Sequence, residues 1–204
     1  MKIYPNLNHT GSIPITTDRL VLRPFVIQDD AAMYRNWASD PEVTRFLRWQ
    51  PHADVSVSHA VLCDWIAQYQ NPAWYQWAIV PKPDTDLAME DGAAQRGEPI
   101  GTIGAVDMNE ITGCVHIGYA LGQQYLHHGI MSEALLAVIA HFFDTVGMQR
   151  IESMHDPDNP HSGDVMRKCG MTYEGTHRMA DYSNRGIVDA CYYSILCTEW
   201  KGRN

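Results

Sequence analysis

The sequence predicts one mixed α+β domain spanning residues 1–204, with a central, mostly antiparallel sheet of about seven strands flanked by helices. Three observations predict it. Strand-like runs at Tyr75 to Val80, Ile100 to Asp107 and Cys114 to Leu121 follow one another across short links, the pattern of an antiparallel meander. The full order of elements, βααβββαβαββ, is that of neither a doubly wound sheet nor a sandwich. The chain has 204 residues, 45% of them hydrophobic, which suits a single domain with a substantial core.

Taken in order, Arg19 to Arg23 (RLVLR) alternates like a strand, and Asp29 to Asp40 reads as a helix. A second helix is expected from about Val55 to Gln70, with Ala60, Leu62, Trp65, Ile66 and Tyr69 mostly on one face. Between the first two strands of the meander, the Pro-, Gly- and Asp-rich stretch from Pro81 to Pro99 is expected to be a mobile connection. After the meander, Met131, Leu135, Val138, Ile139, Phe142 and Val146 recur at helical spacing over Gly129 to Val146, and Gly147 is placed to stop that helix. Arg150 to Met154 is a short strand. A further helix starts at Asn159-Pro160, Asn being a capping residue and Pro suiting the first helical position, and Gly170 can end it. Met171 to Thr176 and Asp189 to Glu199 are the last two strands.

The formal net charge is −9, from 24 acidic and 15 basic residues. That excludes the basic face of a general nucleic-acid binder and is compatible with a cationic substrate such as an amine; a soluble acidic surface accounts for it equally well. No apolar stretch approaches the roughly 20 residues of a membrane span. The opening MKIYPNLNHTGS lacks the apolar run of a signal peptide, so a cytoplasmic location is expected. Five cysteines (Cys63, Cys114, Cys169, Cys191, Cys197) are scattered, form no CxxC pair and read as reduced core thiols. His127 and His128 are adjacent without an apparent partner ligand, so no metal is expected.

Two segments carry the chemistry. In GYALGQQYLHHGIMSEALL (Gly118 to Leu136) a strand gives way to a turn and then to a helix near Gly129, a junction that presents free N–H groups and a helix dipole to an anion. Gly129 there would let backbone approach a pyrophosphate closely, although a glycine before a helix also serves as a plain turn. In DPDNPHSGDVMRKCGMTYEG (Asp156 to Gly175), Asn159 and Ser162 sit near a helix N-terminus and Lys168 at its far end; capping alone explains the first two.

With these two in fixed order, the sequence resembles the GNAT superfamily of N-acetyltransferases, most closely the branch that includes the ribosomal-protein N-terminal (serine/alanine) acetyltransferases. The resemblance covers nearly the whole chain: ITTDRLVLRPF (Ile15 to Phe25), DPEVTRFL (Asp40 to Leu47), GEPIGTIG (Gly97 to Gly104), HIGYAL (His116 to Leu121), GIMSEAL (Gly129 to Leu135), NPHSGDVMRKCGMTYEGTHR (Asn159 to Arg178) and DACYYSILCTEW (Asp189 to Trp200).

The resemblance implies a GNAT-like fold and direct transfer of an acetyl group from acetyl-CoA to a primary amine in a ternary complex, most closely a protein or peptide N-terminal α-amine. The same scaffold also serves polyamines, amino acids and aminoglycosides. It implies no metal, no nucleic-acid or membrane partner, and a monomer or homodimer. It further implies a V-shaped split between the strands at 114–121 and 150–154 that holds the pantetheine arm. Backbone groups of Ile117, Gly118, Tyr119, Ala120 and Leu121 would bond pantetheine, an exposed strand edge meeting a peptide-like arm. Leu126, His127, His128, Gly129, Ile130 and Met131, with Ser132, would wrap the pyrophosphate, and Asn159, Ser162 and Lys168 would meet the cofactor from the next helix. Ser162 is the implied acid and Asp181, in a loop RMADYS, the implied base or ammonium anchor. Trp49, His52 and Trp77, with Trp74, would wall the acceptor cleft. The phosphate loop departs from the usual pattern, with Leu126 for a long polar residue, His128 for a basic one and Met131 for a small one, so weaker phosphate attraction is expected. The alternative reading is a catalytically silent acyl-CoA-binding module.

Overall fold

Successive strand side chains point to opposite faces, and both faces of this sheet are covered over much of its area. The computed structural model describes residues 5–85, 87 and 92–201. Within them lie β1 (Ile15–Thr16), β2 (Leu20–Arg23), β3 (Gln76–Pro81), β4 (Gly101–Asn109), β5 (Cys114–Leu121), β6 (Arg150–His155), β7 (Thr172–Ser183) and β8 (Gly186–Leu196). They hydrogen-bond in the order β1-β2-β3-β4-β5-β6-β8-β7, antiparallel throughout except for the parallel pair β5 and β6. The expected meander is β3-β4-β5.

The helices are α1 (Asp30–Met33), α2 (Pro41–Thr44), α3 (Val55–Gln68), α4 (Ala93–Arg96), α5 (Ile130–Ala140), α6 (Pro160–Lys168) and α7 (Cys197–Lys201). α5 is continued by a π-helical turn, His141–Val146, and stopped by Gly147 at φ +87, a left-handed conformation that glycine adopts without a Cβ penalty. α1 likewise passes into a π-helical turn, Tyr34–Ala38, before Asp40 caps α2 through the N–H of Glu42.

Trp77 and Ile79 of β3 join Val115 and Ile117 of β5 and Ala134, Leu135, Val138 and Ile139 of α5 in the larger core cluster. Ala78, Val80 and Ala120 point the other way, into a second cluster with Phe25, Met33, Trp37 and Leu62. The sheet thus carries α5 and α6 on one face and α1 and α3 on the other, and that division decides which side of the site each ligand can approach.

Several expectations are corrected. β7 runs to Ser183, so RMADYS is strand and Asp181 is paired with Val188 of β8, not held in a loop. β7 is solvated on both faces and carries no alternating apolar signal, which is why composition alone reads it as a loop. The last strand ends at Leu196, and Cys197–Lys201 is a helical turn. The stretch from Pro81 to Pro99 contains α4, and Leu87, Ala93 and Ala94 are buried, so its described part is packed down; Asp86 and 88–91 lie outside the described residues. On α3, Ala60 faces solvent while Leu62 is fully buried. Of the cysteines only Cys169 is a core thiol; Cys63 is exposed and the other three are partly exposed. Among the described residues no helix is long and apolar enough to cross a membrane.

Candidate active site

β5 and β6 part company early. Their parallel ladder holds at Cys114↔Arg150, Val115↔Ile151 and His116↔Glu152 and then stops. A β-bulge in β4 between Ala105 and Asp107 faces this point, and bulges add local twist. At the vertex, the buried Ser153 hydroxyl donates to the Ile117 carbonyl at 2.8 Å. Beyond it the β6-facing edge of Ile117, Gly118, Tyr119, Ala120 and Leu121 meets no strand, while their other edge stays paired to β4. An open strand edge of this kind matches the amides of an extended ligand.

The loop after β5 turns through His127 at φ +67 and Gly129 at φ +75 into α5. The N–H groups of Ile130, Met131 and Ser132 form the first turn, and the first intrahelical bond of the turn runs from Glu133 to the Gly129 carbonyl at 3.0 Å. A Cβ at Gly129 would find only the Arg19 guanidinium, at 3.4 Å, so the space over this backbone is otherwise open. The side chains of Ile130 and Met131 are buried in the core, so they offer only their N–H groups, and the size of Met131 does not narrow the loop. Leu126, His127 and His128 are exposed. The cation missing from the loop is brought by the β1–β2 turn: Arg19 pairs with Glu133 at 2.7 Å, and Glu133 also accepts from Thr17 Oγ1 at 2.6 Å and from the Arg19 N–H at 2.9 Å. These contacts, and not a capping bond, are what Glu133 does in the first turn of α5.

α6 lies alongside this loop. His161 in its first turn stacks edge-on with His127 at 5.3 Å, and at its other end the Cys169 thiol meets the Ser132 carbonyl at 3.3 Å, while Lys168 before it is exposed. Asn159 occupies the N-cap position but its side chain makes no capping bond, which corrects the capping expectation and leaves the amide for a ligand. Ser162 Oγ donates to the Tyr119 hydroxyl at 3.0 Å, and that hydroxyl donates to the Ser162 carbonyl at 3.1 Å. Burial pushes the Tyr119 phenol well above its ordinary range, so it stays protonated and keeps this arrangement. The sequence points to the backbone of Tyr119; its hydroxyl, 43 residues from Ser162, has no local signal.

On the opposite face, Trp49 is partly exposed and stacks on His52 at 5.1 Å. His52 is buried against the Ser58 hydroxyl at 2.8 Å, and burial lowers its pKa. Trp77 is 0% exposed, packed against Phe142 and His141 on the α5 side of the sheet, and its indole N–H donates to Ile13. It is a core residue and cannot wall an acceptor cleft. The β7–β8 hairpin reaches this side: Asp181 pairs with Arg48 at 2.7 Å, and Arg48 also lies over the Tyr182 ring at 5.2 Å. At the hairpin tip Asn184 bonds the carbonyls of Leu47, Thr44 and Trp49, while Arg185 pairs with Asp156 at 2.8 Å and with Asp158 beside the start of α6. A bulge at Arg178 to Ala180, with Met179 at φ +51 and its N–H bonded to Asp189, sets the direction of Asp181.

The chain matches, over residues 19–172, the family described as an acetyltransferase (GNAT) domain. It is 30% identical over 180 residues to the [ribosomal protein uS5]-alanine N-acetyltransferase of Escherichia coli K12, covering 82% of each chain. It is 29% identical over 194 residues to the uncharacterized N-acetyltransferase p20 of Bacillus licheniformis, covering 91% of this chain and 97% of that one. In fold it is similar to the ribosomal-protein-S5-alanine acetyltransferase of Vibrio fischeri, with a TM-score of 0.76 at 18% identity over 93% of this chain and 99% of that one. The chain therefore belongs to the GNAT family and is an acetyl-CoA-dependent N-acetyltransferase.

Proposed function

We propose that the acceptor is the N-terminal α-amine of a protein or peptide, and that acetyl-CoA lies in the β5–β6 split with its phosphates at α5. The observation that carries the cofactor half is the open edge of Ile117 to Leu121 leading to the empty space over Gly129. In this reading the edge holds pantetheine, the first-turn N–H groups of Ile130, Met131 and Ser132 hold the pyrophosphate, and Arg19 and Lys168 add positive charge; Asn159 offers its free amide. Acetyl-CoA supplies the acetyl group as a thioester. The N–H groups of the same edge polarise its carbonyl, and Ser162 protonates the departing sulfur at a helix N-terminus that favours negative charge.

The acceptor half rests on the relative from Escherichia coli and on the opposite face. Phosphate loop and α6 occupy one face, which leaves the face of Trp49 and the hairpin for the amine. Asp181 is held there by Arg48, and an incoming ammonium can take the place of that guanidinium. Asp181 is thus an anchor in this reading.

Two measurements test it. Acetyl-CoA at a hundredfold excess over Kd stabilises a protein by about 2.7 kcal/mol, which for a chain of 204 residues is a rise in Tm of roughly 5–10 °C; NAD and ATP are expected to give less. An amine panel with acetyl-CoA, read by CoA thiol release and mass spectrometry, is expected to place the acetyl group on peptide α-amines. Turnover of polyamines, free amino acids or aminoglycosides with peptides left untouched would overturn the acceptor assignment.

A further inference from the structure

An ammonium has no lone pair, so an α-amine must lose a proton before or as it attacks, and a group on the acceptor face has to receive it. Three carboxylates near the split, Asp181, Asp156 and Glu174, are each held by an arginine. Asp181 meets Arg48 through both Nε and Nη2, and Asp156 meets Arg185. Glu174 is gripped by both terminal nitrogens of Arg150 and by the Ser194 hydroxyl, and the guanidinium holds its carboxyl down to about 2. His177, on β7, is stacked on Tyr192.

His116 differs from all of these. It occupies the last paired position before β5 and β6 diverge, and its side chain shares a face with Gly118 and Ala120, the face that Ala120 turns toward α1 and α3. Its ring is mostly enclosed, 14% exposed, and Nδ1 lies 3.6 Å from Glu152 Oε1. Register places Asp107 of β4 on its other side. Glu152 is in turn held by Arg150 Nε at 3.0 Å, and Cys114 lies one step down the same face. The next residue on that face is Gly118, so β5 itself puts no side chain between the ring and the rest of the open edge; the Val106 side chain, raised by the bulge, lies over Gly118, where a Cβ would come within 2.5 Å of it. With a rise of about 3.3 Å per residue, Gly118 is roughly 7 Å along the strand from His116, within reach of an imidazole and one water.

The geometry points to His116 as the general base of the transfer, with Glu152 as its positioning residue. This rests on the acceptor reading above. Nε2 of His116 accepts, directly or through one water, a proton from the acceptor ammonium, and the N–H bonding pair left on nitrogen becomes the lone pair that forms the C–N bond to the acetyl carbonyl carbon. The C–S bond breaks, its electron pair leaves on sulfur, and Ser162 returns a proton there. The proton on His116 passes to solvent, the second proton that the nitrogen sheds restores the Ser162 hydroxyl by way of solvent, and amide, free CoA thiol and one released proton are the only products. Glu152 orients the ring through Nδ1 and stabilises the imidazolium that forms; His116 and Arg150 hold its carboxyl down to about 2, so it remains charged throughout the working range.

The test uses the full chain with an acceptor peptide and its analogue bearing an aminooxy group for the α-amine, which is neutral at every pH used. His116→Gln is expected to lower kcat/KM for the α-amine at pH 7 by at least about tenfold and to leave on the acid side only the fall set by protonation of the amine itself. Its Kd for acetyl-CoA and its Tm are expected to stay at wild-type values, and its rate on the aminooxy peptide to remain within about threefold of wild type. Glu152→Gln is expected to lower kcat, with KM little changed, and to shift the acid limb. Equal losses on both peptides would make His116 structural and overturn the assignment, as would a wild-type rate with the α-amine. If wild-type protein binds acetyl-CoA yet acetylates no peptide α-amine, the acceptor reading fails, and the base assignment falls with it.

Discussion

Gly129→Val is expected to weaken CoA binding by about a hundredfold or more while leaving the fold in place. Gly129 sits at φ +75, and a Cβ there enters the space over the first turn of α5. Losing two backbone hydrogen bonds to a charged phosphate, at about 1.5 kcal/mol each, corresponds to that factor. The backbone conformation adds a separate cost. A β-branched residue in the left-handed region is strained by about 1–3 kcal/mol, so Tm should fall by several degrees. Gly129→Asn separates the two effects, because Asn tolerates this conformation but still adds bulk. It should lose CoA binding with a smaller drop in Tm. Calorimetric titration with CoA, alongside circular dichroism, measures both, and wild-type affinity in the Val variant would place the phosphate site elsewhere.

Ser162→Ala and Asp181→Asn are each expected to lower kcat/KM by at least about tenfold, within the range for losing a proton donor or a charge anchor, but through different constants. Removing the Ser162 hydroxyl takes away the proton donor at α6, so kcat falls and KM for the acceptor holds. The Ser162 carbonyl keeps its bond from Tyr119, and stability is nearly unchanged. Tyr119→Phe is the companion variant. It takes the side-chain donor from a carbonyl that α6 also pairs within the helix, which costs about 0.5–1.5 kcal/mol, and it frees the Ser162 rotamer, so kcat should drop with a small fall in Tm. Asp181→Asn removes the anion that would receive the ammonium. KM for a cationic peptide is expected to rise while KM for the aminooxy analogue does not. If both single variants turn over at wild-type rates on both substrates, Ser162 and Asp181 have no part in catalysis.

The strands of the meander, α5 and α6 were legible in the sequence because each buries one apolar stripe, and a stripe leaves a period. Gly147 and Pro160 marked helix ends through backbone restrictions that act locally. The ordered motifs pointed to the backbone that the proposed cofactor site uses, Ile117 to Leu121 and Gly129 to Ser132, since a glycine and a helix start are both visible in sequence. Trp77 was misplaced because an indole next to a presumed cleft reads the same in sequence whether it faces the cleft or the core; the register of β3 turned it to the α5 side. β7 was truncated because an edge strand solvated on both faces buries nothing that could set a period.

By itself, then, the sequence determined the meander, the longer helices and the family, all of which depend on local periodicity and near-neighbour motifs. Only the tertiary structure decided the partners: Arg19 with Glu133 at the phosphate end, Tyr119 with Ser162 at α6, Arg48 with Asp181 at the hairpin, and His116 with Glu152 at the vertex of the split. Each pair joins residues at least 36 positions apart in the sequence. What brings them within reach is strand register and the packing of helices on a particular face, and neither is a property of any single segment.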